Sequence, residues 1–338
     1  MENTTVCDVK QKYGNIEMLR LISAAAVIMI HVVSGAVSGF GSEADPLLVF
    51  AMNAFHFALK WAVPVFLMIS GYCILGKKED CTYKWVLPRV GRFASALLVF
   101  GFSFAMLERM FVSKRVSLAM IGGSFLDVLN GDLWDHMWYV YCIIGVYLAL
   151  PVLHSFISAK RENVLWITGL CFFFSIIVPF INRLTGMEMF FYFPFIKHLF
   201  YVCFGAMCAK YTITDKKRRN IICIAVFLFA VAAAAIDRNT SGGYYSPWVC
   251  LMAMPIFMFF TGIEPRISYE KLRKISQLTW GVYLIHPLFI NLIYKLLKFD
   301  PFKHVLPLSI LLIGAVVSTL SFGTVFVLKK IPFISKML

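Results

Sequence analysis

Residues 16–37 read IEMLRLISAAAVIMIHVVSGAV. A helix needs ~20 mainly apolar residues to cross a bilayer. This stretch has that length and carries only Glu17, Arg20 and His31 as strongly polar interruptions. It predicts a membrane-spanning helix. It does not read as a cleaved signal peptide, because it holds Arg20 and His31, has no convincing small-residue cleavage site and opens a series of similar stretches. Nine more candidates follow, at 50–76, 91–112, 136–157, 164–181, 192–210, 220–236, 245–263, 276–297 and 304–328.

Composition agrees. Of 338 residues, 60% are hydrophobic and 15% charged, and the mean hydropathy is +0.79. Ordinary globular chains carry ~25% charged residues. A soluble domain is excluded, since such a chain would expose large apolar patches. Disorder and nucleic-acid binding by a basic soluble fold are excluded with it. Nine cysteines are scattered without a CxxC pair, so neither a disulfide framework nor a metal site is indicated. The expected fold is all-α: one polytopic bundle of about ten helices, with no soluble domain.

The net charge of +14 reads as topology, because Lys and Arg accumulate in cytoplasmic loops. With the N-terminus inside, 21 cations fall in inner segments or at the span edges beside them and seven in or beside outer ones. The remaining four, Arg20, Lys60, Arg109 and Lys197, fall within spans. This bias predicts a cytoplasmic tail at 1–15, a transmembrane domain at 16–328 and a second cytoplasmic tail at 329–338, in a multi-pass protein of the cell membrane.

Polar groups inside spans are costly and each needs a reason. Arg20 and His31 are eleven residues apart. At ~100° per residue that is within ~20° of whole turns, so they share a face, ~16 Å apart along the axis. Ser23, Ala24 and Val27 lie between them. A cation at one end, small residues along the face and an imidazole at depth suit an elongated anionic ligand. Glu17 offers Arg20 a carboxylate three residues away, and a snorkelling anchor would also explain that arginine. His286, in the ninth stretch just before Pro287, is a second intramembrane imidazole, and packing explains either histidine as readily. His56, His154, His198 and His304 show no comparable pattern. Lys84, Arg89 and Arg92 precede the third span. Such a cluster suits phosphate groups, although taken alone it is accounted for more simply by positive-inside topology.

Six landmarks taken together resemble the acyltransferase family 3 of integral membrane proteins. They are Glu17-Met18-Leu19-Arg20 with His31 after ten intervening residues, Pro64 through Ser70-Gly71-Tyr72, the basic pair Arg89 and Arg92, Trp138-Tyr139 with Tyr147 and Pro151, Phe204-Gly205, and Tyr283-Leu284-Ile285-His286-Pro287. They occur in order over nearly the whole chain. Glu17 stands where many members have Asp. The resemblance implies transfer of an acyl group, commonly acetyl, from cytoplasmic acyl-CoA to a hydroxyl of a surface or lipid-linked glycan. It implies His31 and His286 as catalytic residues and Arg20, Lys84, Arg89 and Arg92 as the CoA-binding cations. Ser70, Trp138, Tyr139 and Tyr283 become candidate substrate contacts and Glu17 a structural residue. No permanently bound cofactor is expected, and acyl-CoA enters as co-substrate. Some members carry a fused extracytoplasmic domain. Here the sequence stops shortly after the last span, so transfer is expected of the membrane domain itself or of a separate partner.

A hydroxyl needs a base at neutral pH, and imidazole supplies one. A covalent acyl-histidine is the competing route. The alternative function is a multi-span transporter of a glycan precursor or small anion, with the internal Arg and His lining its path.

The cation bias makes a direct prediction. A cysteine introduced at Ser42 should react with a membrane-impermeant thiol reagent from outside, and one at Lys217 should not. Outside labelling at Lys217 reverses the orientation.

Overall fold

The computed structural model describes residues 6–76, 80–113, 117–187, 194–211, 213, 215–237, 243–263 and 265–338. The protein is 85% helical, and no strand occurs among the described residues. In chain order the helices are α1 (Val6–Phe40), α2 (Pro46–Leu59), α3 (Ala62–Ile74), α4 (Tyr83–Ala96), α5 (Phe102–Ser113), α6 (Leu118–Asn130), α7 (Trp138–Ala159), α8 (Asn163–Phe172), α9 (Val178–Thr185) and α10 (Pro194–Lys210). They continue with α11 (Lys216–Asp237), α12 (Pro247–Phe260), α13 (Tyr269–Ser276), α14 (Thr279–Asn291), α15 (Leu306–Leu328) and α16 (Pro332–Ser335). Wider π turns at Leu97–Gly101, Phe173–Ile177 and Leu292–Leu296 interrupt otherwise continuous stretches.

Helix covers most of the described residues of each expected span, with turns or ends inside 50–76, 245–263, 276–297 and 304–328. Among the described residues six helical stretches are long and apolar enough to cross a membrane: Tyr13–Glu43, Pro46–Ile74, Tyr83–Phe111, Asp135–Ala159, Asn163–Thr185 and Leu306–Leu328. The expected sixth, eighth and ninth spans fall on α10, α12 and α14, of 17, 14 and 13 residues. Lipid-facing character shows directly on α15, where Leu311 and Leu312 are 61% and 56% exposed. Among the counted cations, Lys77, Lys78, Lys114, Arg115 and Arg238 lie outside the described residues, as do 1–5 of the N-terminal tail and 192–193 of the sixth span.

Two features refine the expected spans, the first at the place where Pro64 removes a backbone donor. The second span is broken, with Lys60 and Trp61 between α2 and α3. And α6 lies in the segment between the third and fourth spans; it is too short to read as a crossing. Its ends are set by local chemistry: the Ser117 hydroxyl accepts from Met120 N at 3.2 Å, and Gly131 closes it at φ 81°.

The chain divides into two compact units. The first comprises Met1–Lys78 and Ala159–Gly323. Here α1 is the hub, packed against α2, α3, α13 and α14. Its near end is tied down by Asn15, whose side-chain amide donates to Thr261 O at 2.9 Å. Among the described residues the most extensive helix pairing is that of α3 with α10. Gly71 and Gly205 make it possible. A Cβ on Gly71 would lie 1.8 Å from Val202 O, and one on Gly205 would lie 2.0 Å from Met68 O. Small residues are the usual device for close approach in a bilayer, where no hydrophobic force drives helices together. This gives a physical reason for two of the landmarks, Ser70-Gly71 and Phe204-Gly205.

The second unit comprises Glu79–Ser158 and Thr324–Leu338. In it α6 folds back on α5, held by Arg109 donating to both carboxylate oxygens of Asp127 at 2.7 and 2.8 Å. Tyr141 on α7 donates to Val128 O of α6. The ring of Phe93 on α4 meets Tyr147 on α7 edge-on at 5.0 Å.

The glycine crossing predicts an asymmetry between two small substitutions. Gly71→Ala should destabilise the protein by about 1–3 kcal/mol, the usual cost of overpacking. Gly91→Ala, within α4 and with nothing inside 4 Å of the added Cβ, should leave stability unchanged or slightly raised. Thermal melts in detergent compare the two.

Candidate functional site

The first unit brings His31 and His286 together. His31 is half-buried on α1 and His286 is completely buried on α14. His286 Nε2 lies 3.1 Å from His31 Nδ1, and the ring centroids are 4.9 Å apart at 59°. The two helices run parallel, as a series of contacts shows: Ser276 beside Glu17, His286 beside His31, and Tyr294 against Gly35 and Val32.

The backbone fixes which nitrogens carry protons. His31 Nδ1 donates to Val27 O at 2.8 Å, and His286 Nδ1 donates to Val282 O at 3.1 Å. A carbonyl can only accept, so in the neutral rings both protons sit on Nδ1. His286 Nε2 is then an acceptor, and the proton on His31 Nδ1 is shared between it and Val27 O. The basic lone pair of His31 is therefore on Nε2. The chain of donors runs from His31 through His286 to a backbone carbonyl. Were His31 Nε2 to take a proton, the imidazolium would keep its Nδ1–H directed at the lone pair of His286. A neighbouring acceptor in that place both orients an imidazole and stabilises its charged form.

At the other end of the same face Arg20 pairs with Glu17 at 2.6 Å. Ser276 on α13 donates to the same carboxylate oxygen, and its hydroxyl is also 3.1 Å from Arg273 O. The sequence had offered Arg20 either a ligand or an intrahelical partner. The fold supplies the partner, and adds a serine 259 positions away in the chain. That residue left no mark in the sequence, because its role exists only once α13 lies against α1.

Of the remaining candidates in this unit, Ser70 donates back to Phe66 O of its own helix at 3.1 Å. Tyr283 lies 6.1 Å from the His286 ring and stacks on Trp280 at 5.8 Å. His56, which had no pattern in the sequence, comes within electrostatic reach of both His31 and Lys60.

The other candidates belong to the second unit. Lys84 is exposed. The Arg89 guanidinium lies 3.5 Å over the Trp85 ring and donates to Trp85 O at 2.7 Å. Arg92 donates to Met337 O at 3.2 Å and to Leu338 O. Trp138 and Tyr139 meet edge-on at 5.9 Å.

Comparison with known proteins follows the same residues. A family model described as an acyltransferase domain matches residues 13–327. A protein of Enterococcus faecalis named an amino-acid racemase is 24% identical over 324 residues, covering 86% of this chain and 43% of that protein. YfiQ of Bacillus subtilis (strain 168), provisionally named a membrane-bound acyltransferase, is 22% identical over 336 residues, covering 94% of this chain and 91% of that protein. This chain thus spans less than half the length of the first relative. No solved structure matches.

The Glu17–Arg20 pair yields a test of its structural weight. The two side chains are 12% and 27% exposed, so solvent screens part of their attraction. Glu17→Gln should cost about 1 kcal/mol or less, read from thermal melts in detergent. A much larger loss would mean that Glu17 organises the contact between α1 and α13 beyond its charge.

Proposed function

The chain belongs to the acyltransferase family whose domain model it matches over residues 13–327, and from that premise we propose that it is an acyl-CoA-dependent O-acyltransferase of the cell membrane. The donor we assign is acetyl-CoA, and the acceptor is a hydroxyl of a surface or lipid-linked glycan. Both termini are taken as cytoplasmic. The observation that carries the reading is the imidazole pair, His286 Nε2 at 3.1 Å from His31 Nδ1.

In this reading His31 Nε2 removes the proton from the acceptor hydroxyl as its oxygen attacks the thioester carbonyl. The resulting imidazolium is steadied by His286. Collapse of the tetrahedral intermediate breaks the C–S bond, and the departing CoA sulfur takes the proton back from His31 Nε2. One ester and one free thiol result, and His31 returns to its starting tautomer. His286 thus acts through His31. Its Nδ1 is turned towards its own helix, onto Val282 O.

Arg20 is assigned to an anionic group of the donor. Lys84, Arg89 and Arg92 are assigned to the phosphates of CoA on their charge alone. Ser70, Trp138, Tyr139 and Tyr283 remain assigned to substrate contact through the family resemblance. The family and the relative named for this activity support an acyltransferase. The donor, the acyl group and the acceptor are the proposal.

The expected outcome for His31→Ala is a fall in transfer of at least the ~10²–10⁴-fold typical of losing a general base. Insertion and acyl-CoA binding should survive. His286→Ala should lose less, because the base itself remains. Both variants are assayed in membranes at matched expression, with thioester consumption and binding of a non-reactive thioether analogue measured separately. Supplying donor without acceptor should accumulate no acyl-enzyme. Near-normal transfer by His31→Ala would sink the assignment, and an acyl-histidine trapped on His31 would replace the base with a nucleophile.

A further inference from the structure

The mechanism above provides a base and leaves the oxyanion of the tetrahedral intermediate without a counter-charge. The broken second span supplies a candidate. Lys60 stands between α2 and α3, fourteen residues from each end of the helical stretch Pro46–Ile74. At 1.5 Å per residue that is ~21 Å from either end, too far for a four-carbon stem to snorkel to an interface. It is half-buried, and its ammonium lies 5.5 Å from the centroid of the Phe57 ring. A cation held at that depth is expensive and calls for a function. Helices broken at mid-membrane are likewise where polar ligands are handled.

Register places the Lys60 backbone ~6 Å, about one helical turn, beyond the level of the imidazoles, a gap that its four-carbon stem spans by leaning back towards the start of α2, as its contact with Phe57 shows. α1 ends at Phe40 and α2 begins at Pro46, so the two form a tight hairpin and pack together. His31 lies nine residues before the turn and His56 ten residues after it, ~14 and ~15 Å along their axes. The two are therefore at one depth. Lys60 follows His56 by four residues, which puts both on one face of α2. Electrostatic coupling of His56 to both His31 and Lys60 agrees with this register. The titratable groups beside His31 are then His286 from α14 and His56 from α2, with Lys60 one turn further along the same face of α2 as His56.

We propose that Lys60, presented by the break between α2 and α3, is the electrophilic catalyst: its ammonium receives the oxyanion formed when the acceptor oxygen attacks the thioester carbonyl. This rests on the acyl-transfer reading above and deepens it. As the new C–O bond forms, the carbonyl π pair moves onto oxygen beside the ammonium. When the C–S bond breaks, the pair returns and the thiolate takes the proton from His31. Lys60 gains and loses no proton in the cycle. A preorganised donor of this kind acts only where charge develops, so it lowers the barrier without tightening the ground state.

The test uses the full chain in detergent or nanodiscs. Lys60→Met should lower kcat by about 10²–10³-fold, with KM for the acyl-CoA and binding of its thioether analogue nearly unchanged. Lys60→Arg should recover a measurable part of kcat. Elution profile and melting temperature establish that each variant is folded. A folded Lys60→Met that keeps its kcat overturns the inference while leaving His31 as base. So does a loss confined to KM, or an Arg variant no better than the Met variant. A wild-type chain that turns over no acyl-CoA overturns the parent reading, and this one with it.

Discussion

In hydrocarbon there is no water to receive a polar group, so every polar side chain carried into a span must be answered by another part of the protein. The first unit is arranged around that requirement. α1 brings three such groups inward, Glu17, Arg20 and His31. Glu17 is answered twice, by Arg20 and by Ser276. His31 is answered by its own helix at Val27 and by His286. These bonds come from α13 and α14, so satisfying α1 fixes two further elements against it. The parallel course of α1 and α14 follows from the same contacts.

The imidazole pair shows how a structural demand becomes a chemical arrangement. Each ring uses Nδ1 to bond the carbonyl four residues earlier. That bond is what a packing histidine would make. Because both rings make it, both lone pairs sit on Nε2, and the second ring can support the first when it is charged. The bland and the functional explanations of His31 are therefore one geometry. The protonation pattern that satisfies the buried groups also leaves His31 with a basic nitrogen.

Packing and breakage divide the second span between them. Its later half, α3, is pressed so closely on α10 that Gly71 and Gly205 admit no side chain. Its earlier half, α2, ends at Leu59, and the break sets Lys60 in mid-span. Close glycine contacts seat α3 on α10, and α2 packs on α1 through the hairpin. The His31–His286 pair forms where α14 meets α1, and the break leaves Lys60 in mid-span on the neighbouring helix.

Composition and periodicity determined that the chain is an all-helical membrane protein, because the cost of burying polar groups in a bilayer leaves its mark on every span. The ordered landmarks determined the family, and with it His31 and His286 as residues to watch. The sequence also placed Arg20 and His31 on one face, since that needs only the helical repeat. It could not show that His286 reaches His31, 255 positions away, or that Ser276 reaches Glu17. Nor did it separate α2 from α3 or single out His56. Local spacing reports which face of a helix a residue occupies. Which helix lies against that face is decided by long-range packing, through close approaches such as Gly71 on Val202, and only the folded structure contains that information.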